Sequence, residues 1–118
     1  MRYQRGSLTK HERLKQLILA HPELLGIEAA RVVRTETEFP LLKKKRPIAQ
    51  PDIMIQYAAG RELRRLFVEV KSGSCWYARS KLEAQVRKVS RFLRSEKITG
   101  EVLGVYCEGD TMNLHIVQ

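Results

Sequence analysis

The sequence predicts an α/β fold in which a central mixed β-sheet of four to five strands is flanked by two main helices, and three observations carry that expectation. Leu82, Val86, Val89 and Leu93 recur at spacings of four, three and four, the period of a helix with one buried face. Two strand-like stretches flank Ala58-Ala59-Gly60-Arg61, where glycine permits a tight turn, so they should pair antiparallel. The order helix, three strands, helix, strand then implies helices packed on a mixed sheet, an antiparallel meander followed by a helical crossover. At 118 residues the chain is expected to form a single domain, 1–118, that buries one core without disulfides.

From the N-terminus, Leu8 to about Leu25 reads as the first helix. Leu14, Leu17 and Ile18 form its inward stripe, Ser7 or Thr9 is available as a cap, and Pro22 disturbs the last turn. Arg31 to Phe39 is rich in β-branched residues and alternates Val33, Thr35 and Thr37 with Val32, Arg34, Glu36 and Glu38, which predicts a strand ended by Pro40. Leu41 to Gln50 is basic, carries Pro47, and is expected to be a mobile loop. Asp52 to Tyr57 and Leu63 to Lys71 are the two hairpin strands. Ser72-Gly73-Ser74 breaks the pattern and leads through Trp76 and Tyr77 to the second helix, about Arg79 to Glu96. Gly100 stops the connection, Val102 to Cys107 follows as a fourth strand, and Leu114 to Val117 as a short last strand after the Glu108-Gly109-Asp110 turn.

Composition narrows the function classes. Hydrophobic residues make up 43% and charged residues 30%, a globular balance, and no apolar run is long enough to span a bilayer. Neither the segment from Met1 to Lys10 nor the tail resembles a secretion signal. Cys75 and Cys107 lack C-x-x-C spacing, so a zinc site or disulfide framework is not expected, both should be reduced thiols, and the expected location is cytoplasmic. The net charge of +9 is concentrated. Lys43, Lys44, Lys45 and Arg46 form one block, while Arg79, Lys81, Arg87, Lys88, Arg91, Arg94 and Lys97 stud the second helix against only Glu83 and Glu96. Many small domains are basic simply to stay soluble, but two dense clusters favour a polyanion partner, bound in a salt-sensitive way. A membrane surface fits less well, because the basic helix lacks a bulky exposed apolar face.

The chemistry is suggested by Pro51-Asp52 and, after a hairpin-length gap, Glu69-Val70-Lys71. On a strand, side chains two apart share a face, so Glu69 and Lys71 project together with Phe67 while Val68 and Val70 face the other way. Asp52, at the start of the neighbouring strand, can meet Glu69, and two such carboxylates suit Mg²⁺, with water, a backbone carbonyl such as that of Val70, and a phosphate oxygen as the remaining ligands. Glu69 and Lys71 could instead be a charged pair on a solvated face, and Asp52 a turn residue after Pro51. The segment Leu66 to Val70 is apolar on both faces, however, as in a central strand, where an uncompensated glutamate is costly.

These residues resemble the PD-(D/E)XK nuclease superfamily, the restriction-endonuclease-like fold: Pro51-Asp52, sixteen intervening residues, then Glu69-Val70-Lys71. The element order agrees with that family's core over most of the chain. His21-Pro22-Glu23-Leu24-Leu25 followed by Glu38-Phe39-Pro40 is similar to the nuclease domain of NucS-type endonucleases, and VRR-NUC-type and transposon-end nucleases are similar at the central motif. The resemblance implies a restriction-endonuclease-like core, Asp52 and Glu69 as metal ligands, and Lys71 as the catalytic lysine. It also implies a site role for Gln85, on the margin of the buried stripe, although Val89 stands where a tyrosine often follows and Gln85 could merely bond to backbone. Family members often carry a glutamate on the first helix. Glu12, the nearest, lies opposite the apolar stripe at about 100° per residue, and His11 and Glu38 lie closer, so that acidic role stays open. His11, His21 and His115 are expected to have structural or surface roles, and Trp76 and Tyr77 could stack on bases or pack in the core.

The resulting expectation is a Mg²⁺-dependent DNA endonuclease, with Mn²⁺ expected to substitute. Asp52, Glu69, Lys71 and Gln85 are the catalytic set, and Asp52, Glu69 and Val70 hold the metal. Lys43 to Arg46, Arg79, Lys81, Arg87, Lys88 and Arg91 grip the DNA backbone. Nothing resembles a separate base-reading domain, so cleavage should be directed by DNA structure or by a targeting protein, and a homodimer would present two cuts to a duplex. The competing expectations are a catalytically inactive nucleic-acid-binding subunit of the same fold and an RNA-directed nuclease.

Overall fold

The computed structural model describes residues 5–71, 75–107 and 114–118. Two helices, α1 (Arg5–Ala20) and α2 (Cys75–Ser95), accompany the strands β1 (Val32–Thr37), β2 (Leu41–Lys43), β3 (Arg46–Ala49), β4 (Ile53–Ala59), β5 (Glu62–Lys71), β6 (Glu101–Cys107) and β7 (Leu114–Val117). Five strands form one mixed sheet in the order β1-β4-β5-β6-β7. Only β5 and β6 are parallel, joined through α2, and every other pairing is antiparallel. The Ser72-Gly73-Ser74 break, the Glu108-Gly109-Asp110 turn and the Trp76 and Tyr77 side chains lie outside the described residues.

The sheet is covered on both faces. Leu14 and Ile18 of α1 pack with Ile53, Ile55, Val68, Val70 and Val105. On the opposite face, Val89, Phe92 and Leu93 of α2 pack with Met54 and Phe67. β5 therefore runs through the middle of the molecule, and Leu66 to Val70 are all buried. The inward residues expected of the second helix, Leu82, Val86, Val89 and Leu93, are all buried as well. Among the described residues, no helix is long and apolar enough to cross a membrane.

Three expectations are corrected. α1 ends at Ala20, and Pro22–Leu25 is a separate 3-10 turn, since proline cannot continue the α-helical ladder; Gly26, at φ 83°, closes it. Ser7 and Thr9 lie inside α1 rather than capping it. The basic segment at 41–50 is a β-hairpin rather than a loop, with Lys43 opposite Arg46 and only Lys44-Lys45 between them. Both turn lysines have positive φ, 52° and 67°, the type I′ arrangement that usually takes Asn-Gly. Two features hid this hairpin in the sequence. Its turn lacks the residues that tolerate that backbone, and Pro47 argues against a strand unless, as in this two-stranded ribbon, the strand has a free edge. Burial of Leu41 among Met54, Phe67 and Phe92 anchors its base and offsets the strained tip.

Candidate functional site

The site forms where β1, β4 and β5 end together. Thr37 pairs with Ile53, and the ladder continues past both strands through Glu38 N–H to Asp52 O at 3.0 Å and Phe39 N–H to Pro51 O at 3.1 Å. Ile53 pairs with Val68, so one further step sets Asp52 against Glu69. The Val70 N–H donates to Asp52 Oδ2 at 2.7 Å, a short charge-assisted bond that fixes the carboxylate beside the strand. Pro51, next along, has no N–H to offer the Val70 carbonyl.

Phe67 packs under α2 whereas Val68 and Val70 pack under α1, so Glu69 faces α2, on the side expected from strand alternation. Gly104 stands opposite Glu69 on β6, and a Cβ there would lie 3.1 Å from Leu82 Cδ2 and 3.2 Å from Val86 Cγ2. The missing side chain lets α2 approach the sheet beside Glu69, which is 8% exposed. Burial first, and then the charge of Asp52, push the Glu69 carboxyl up to about 7; Glu38 adds to this, while Lys71 and Lys88 oppose it. Asp52, Glu69 and Lys71 are thus electrostatically coupled at one end of β5, as their spacing predicts. Lys71 is half-buried at the strand terminus.

This donor set fits a hard divalent cation. Two carboxylates repel one another, one of them is largely desolvated, and among the described residues no hydrogen bond or ion pair engages the Glu69 side chain. Among the described residues no three His, Cys, Asp or Glu side chains are grouped to hold an ion, so such a cation would draw its other ligands from backbone, water or substrate.

Two residues of α1 join the site: His11, which its helical angle puts near the apolar stripe, and Lys15, which was not foreseen. His11 Nε2 lies 3.3 Å from Asp52 Oδ1, on the carboxylate oxygen that Val70 leaves free. Lys15, 4% exposed, donates to Glu38 Oε2 at 2.7 Å and to Glu12 Oε2 at 3.2 Å. Burial pulls the Lys15 ammonium down, but its bonds to Glu38 and Glu12 outweigh this, and its pKa lies above the ordinary value. The sequence held the signal: His11, Leu14, Lys15 and Ile18 follow an i, i+3, i+4, i+7 face, so both polar residues share the buried stripe. Glu12 is exposed, as its helical angle predicts, and Glu38, at φ 53°, is the acid whose charge reaches Glu69.

Gln85 is half-buried on α2, one helical turn before Lys88 and two before Phe92, the side turned toward β4. Among the described residues it has no hydrogen-bond partner. Arg79, Lys81, Arg87, Lys88 and Arg91 are all exposed, with Arg79 3.6 Å from Glu83. Lys43 lies 3.7 Å from Glu96, just past the end of α2, and Leu41 packs with Phe92, so the hairpin lies beside the C-terminal part of α2. Comparison with protein-family models, with curated proteins and with solved structures yields no match for this chain.

Proposed function

We propose that the chain is a metal-dependent DNA endonuclease of the PD-(D/E)XK type, using Mg²⁺ to hydrolyse phosphodiester bonds. The observation that carries the reading is Glu69: a buried carboxylate raised to about 7 beside Asp52, with Lys71 two residues on and no paired protein cation among the described residues. Asp52 and Glu69 would hold the ion, and the Val70 carbonyl would serve as a backbone ligand. When bound, Mg²⁺ supplies Lewis-acid chemistry, lowering the pKa of an adjacent water and offsetting charge that builds on phosphorus. Lys71 orients the attacking water or stabilises the same charge. Val70 N–H and His11 fix the Asp52 carboxylate, while Lys15 neutralises Glu38 so that its charge adds less to the crowding at Glu69. The exposed cations of α2 and the β2–β3 hairpin hold the DNA backbone.

A nucleic-acid-binding subunit without cleavage is the second reading, and it is favoured by the lack of a third grouped acid among the described residues. Supercoiled plasmid incubated with Mg²⁺, with EDTA, and with Asp52→Ala or Lys71→Ala protein separates the two. Nicking by the unaltered protein with Mg²⁺ only, reduced at least 100-fold in either variant while DNA binding persists, is the expected result. Equal nicking by Asp52→Ala would place the activity elsewhere, and no cleavage of duplex, branched, mismatched or single-stranded DNA, or of RNA, would leave the binding module.

A further inference from the structure

The β2–β3 hairpin is inserted between the two residues that frame the site. Its roots are Glu38-Phe39 and Pro51-Asp52, clasped by the Glu38 N–H to Asp52 O and Phe39 N–H to Pro51 O bonds, and Gln50 Nε2 adds a bond to Glu38 O at 3.0 Å. Its base is fixed in the core by Leu41, and Lys43 ties its flank to Glu96, just past the end of α2. Its tip places Lys44 and Lys45 in left-handed backbone with Arg46 beside them, all exposed. Lysine gains nothing from that backbone, so the turn presents charge at the expense of local stability, a pattern that marks functional segments.

From the Lys44-Lys45 turn to Asp52 is seven residues, four of them in β3, a reach of at most about 23 Å at 3.3 Å per residue. That reach is enough to cover the major-groove width of about 12 Å, and a two-stranded ribbon is one of the shapes this groove admits. We propose that the β2–β3 hairpin is a ribbon that crosses a groove of duplex DNA, setting Lys44, Lys45 and Arg46 on phosphates of one strand while Asp52 and Glu69 address the other, so that the protein selects double-stranded over single-stranded DNA. This rests on the nuclease reading, which supplies the phosphate at Asp52 and Glu69. A flexible single strand can follow any cationic surface. A ribbon fixed at its root gains from a second row of phosphates only when that row is held at a constant distance, and the duplex provides this.

The test compares the unaltered protein, Lys44→Asn/Lys45→Gly and Arg87→Gln/Arg91→Gln on a 20-base-pair duplex and on one of its strands. Binding is read by anisotropy across a salt series with Ca²⁺ in place of Mg²⁺, so that a divalent ion is present and a failure to cleave DNA leaves the result interpretable. Asn-Gly is the preferred type I′ pair, so the first variant removes two charges while favouring the turn. The hairpin variant should lose duplex affinity about tenfold, with a salt slope shallower by about 1.8, and its duplex-to-single-strand ratio should fall at least threefold. The α2 variant should lose affinity for both DNAs in equal proportion. Proportional losses from the hairpin variant too, or no loss at all, would overturn the inference.

Discussion

Glu69 sits where a carboxylate is costly to ionise, and the pH dependence of stability follows from that placement. Its folded-state pKa, about 7, lies above the ordinary 4.5, so the native protein keeps a proton that the unfolded chain has released. Its contribution is complete below about 4.5, declines as pH rises, and is gone above about 7, a difference of at most about 3 kcal/mol. Metal-free protein should therefore show a falling melting temperature across that window, Glu69→Gln should flatten the fall, and Mg²⁺ should raise stability most at its alkaline end, where the deprotonated ligand is available. A Glu69→Gln profile that keeps the same fall would assign the titration to another group. Asp52, Glu69 and Lys71 were legible as a set because strand alternation is strict. Lys15 was not, because a helical stripe is searched for apolar residues and this polar member interrupts it, while His11 was placed near the stripe with nothing in the sequence to tie it to Asp52.

Helix α2 and strand β6 meet through one missing side chain. Leu82 and Val86 are almost fully buried and have little room to swing away, so a methyl group at Gly104 requires α2 to yield by a few tenths of an ångström. Gly104→Ala should cost about 1–3 kcal/mol in urea unfolding, and, by letting water in, should lower the Glu69 pKa toward its ordinary value. Unchanged stability would mean that α2 moves freely on the sheet. Helices and sheet strands were legible at this scale because each has a regular apolar period; the ladder from β1 to β7 with its one parallel pair follows from an antiparallel meander and a helical crossover. The β2–β3 hairpin was not, since its turn runs against local backbone preference and its stability comes from Leu41, a contact distant in sequence.

Across the whole molecule, the β2–β3 hairpin and α2 form a basic flank, further exposed cations stand at Arg13, Arg31, Arg34, Arg61, Arg64 and Arg65, and no lysine or arginine follows Lys97. If Lys44, Lys45, Arg46, Arg87, Lys88 and Arg91 each meet one phosphate, the logarithm of duplex affinity should fall with the logarithm of salt at a slope of about −5. A slope near −1 would mean that the flank is solvated charge and little more. One site per chain should nick a plasmid before linearising it. The proposed hydrolysis requires a divalent ion held between Asp52 and Glu69. Crystals grown with Mn²⁺ and measured at its absorption edge show whether it is there: an anomalous peak within coordination distance of both carboxylates, lost in Asp52→Asn, is expected, whereas a peak elsewhere or none would rule the site out.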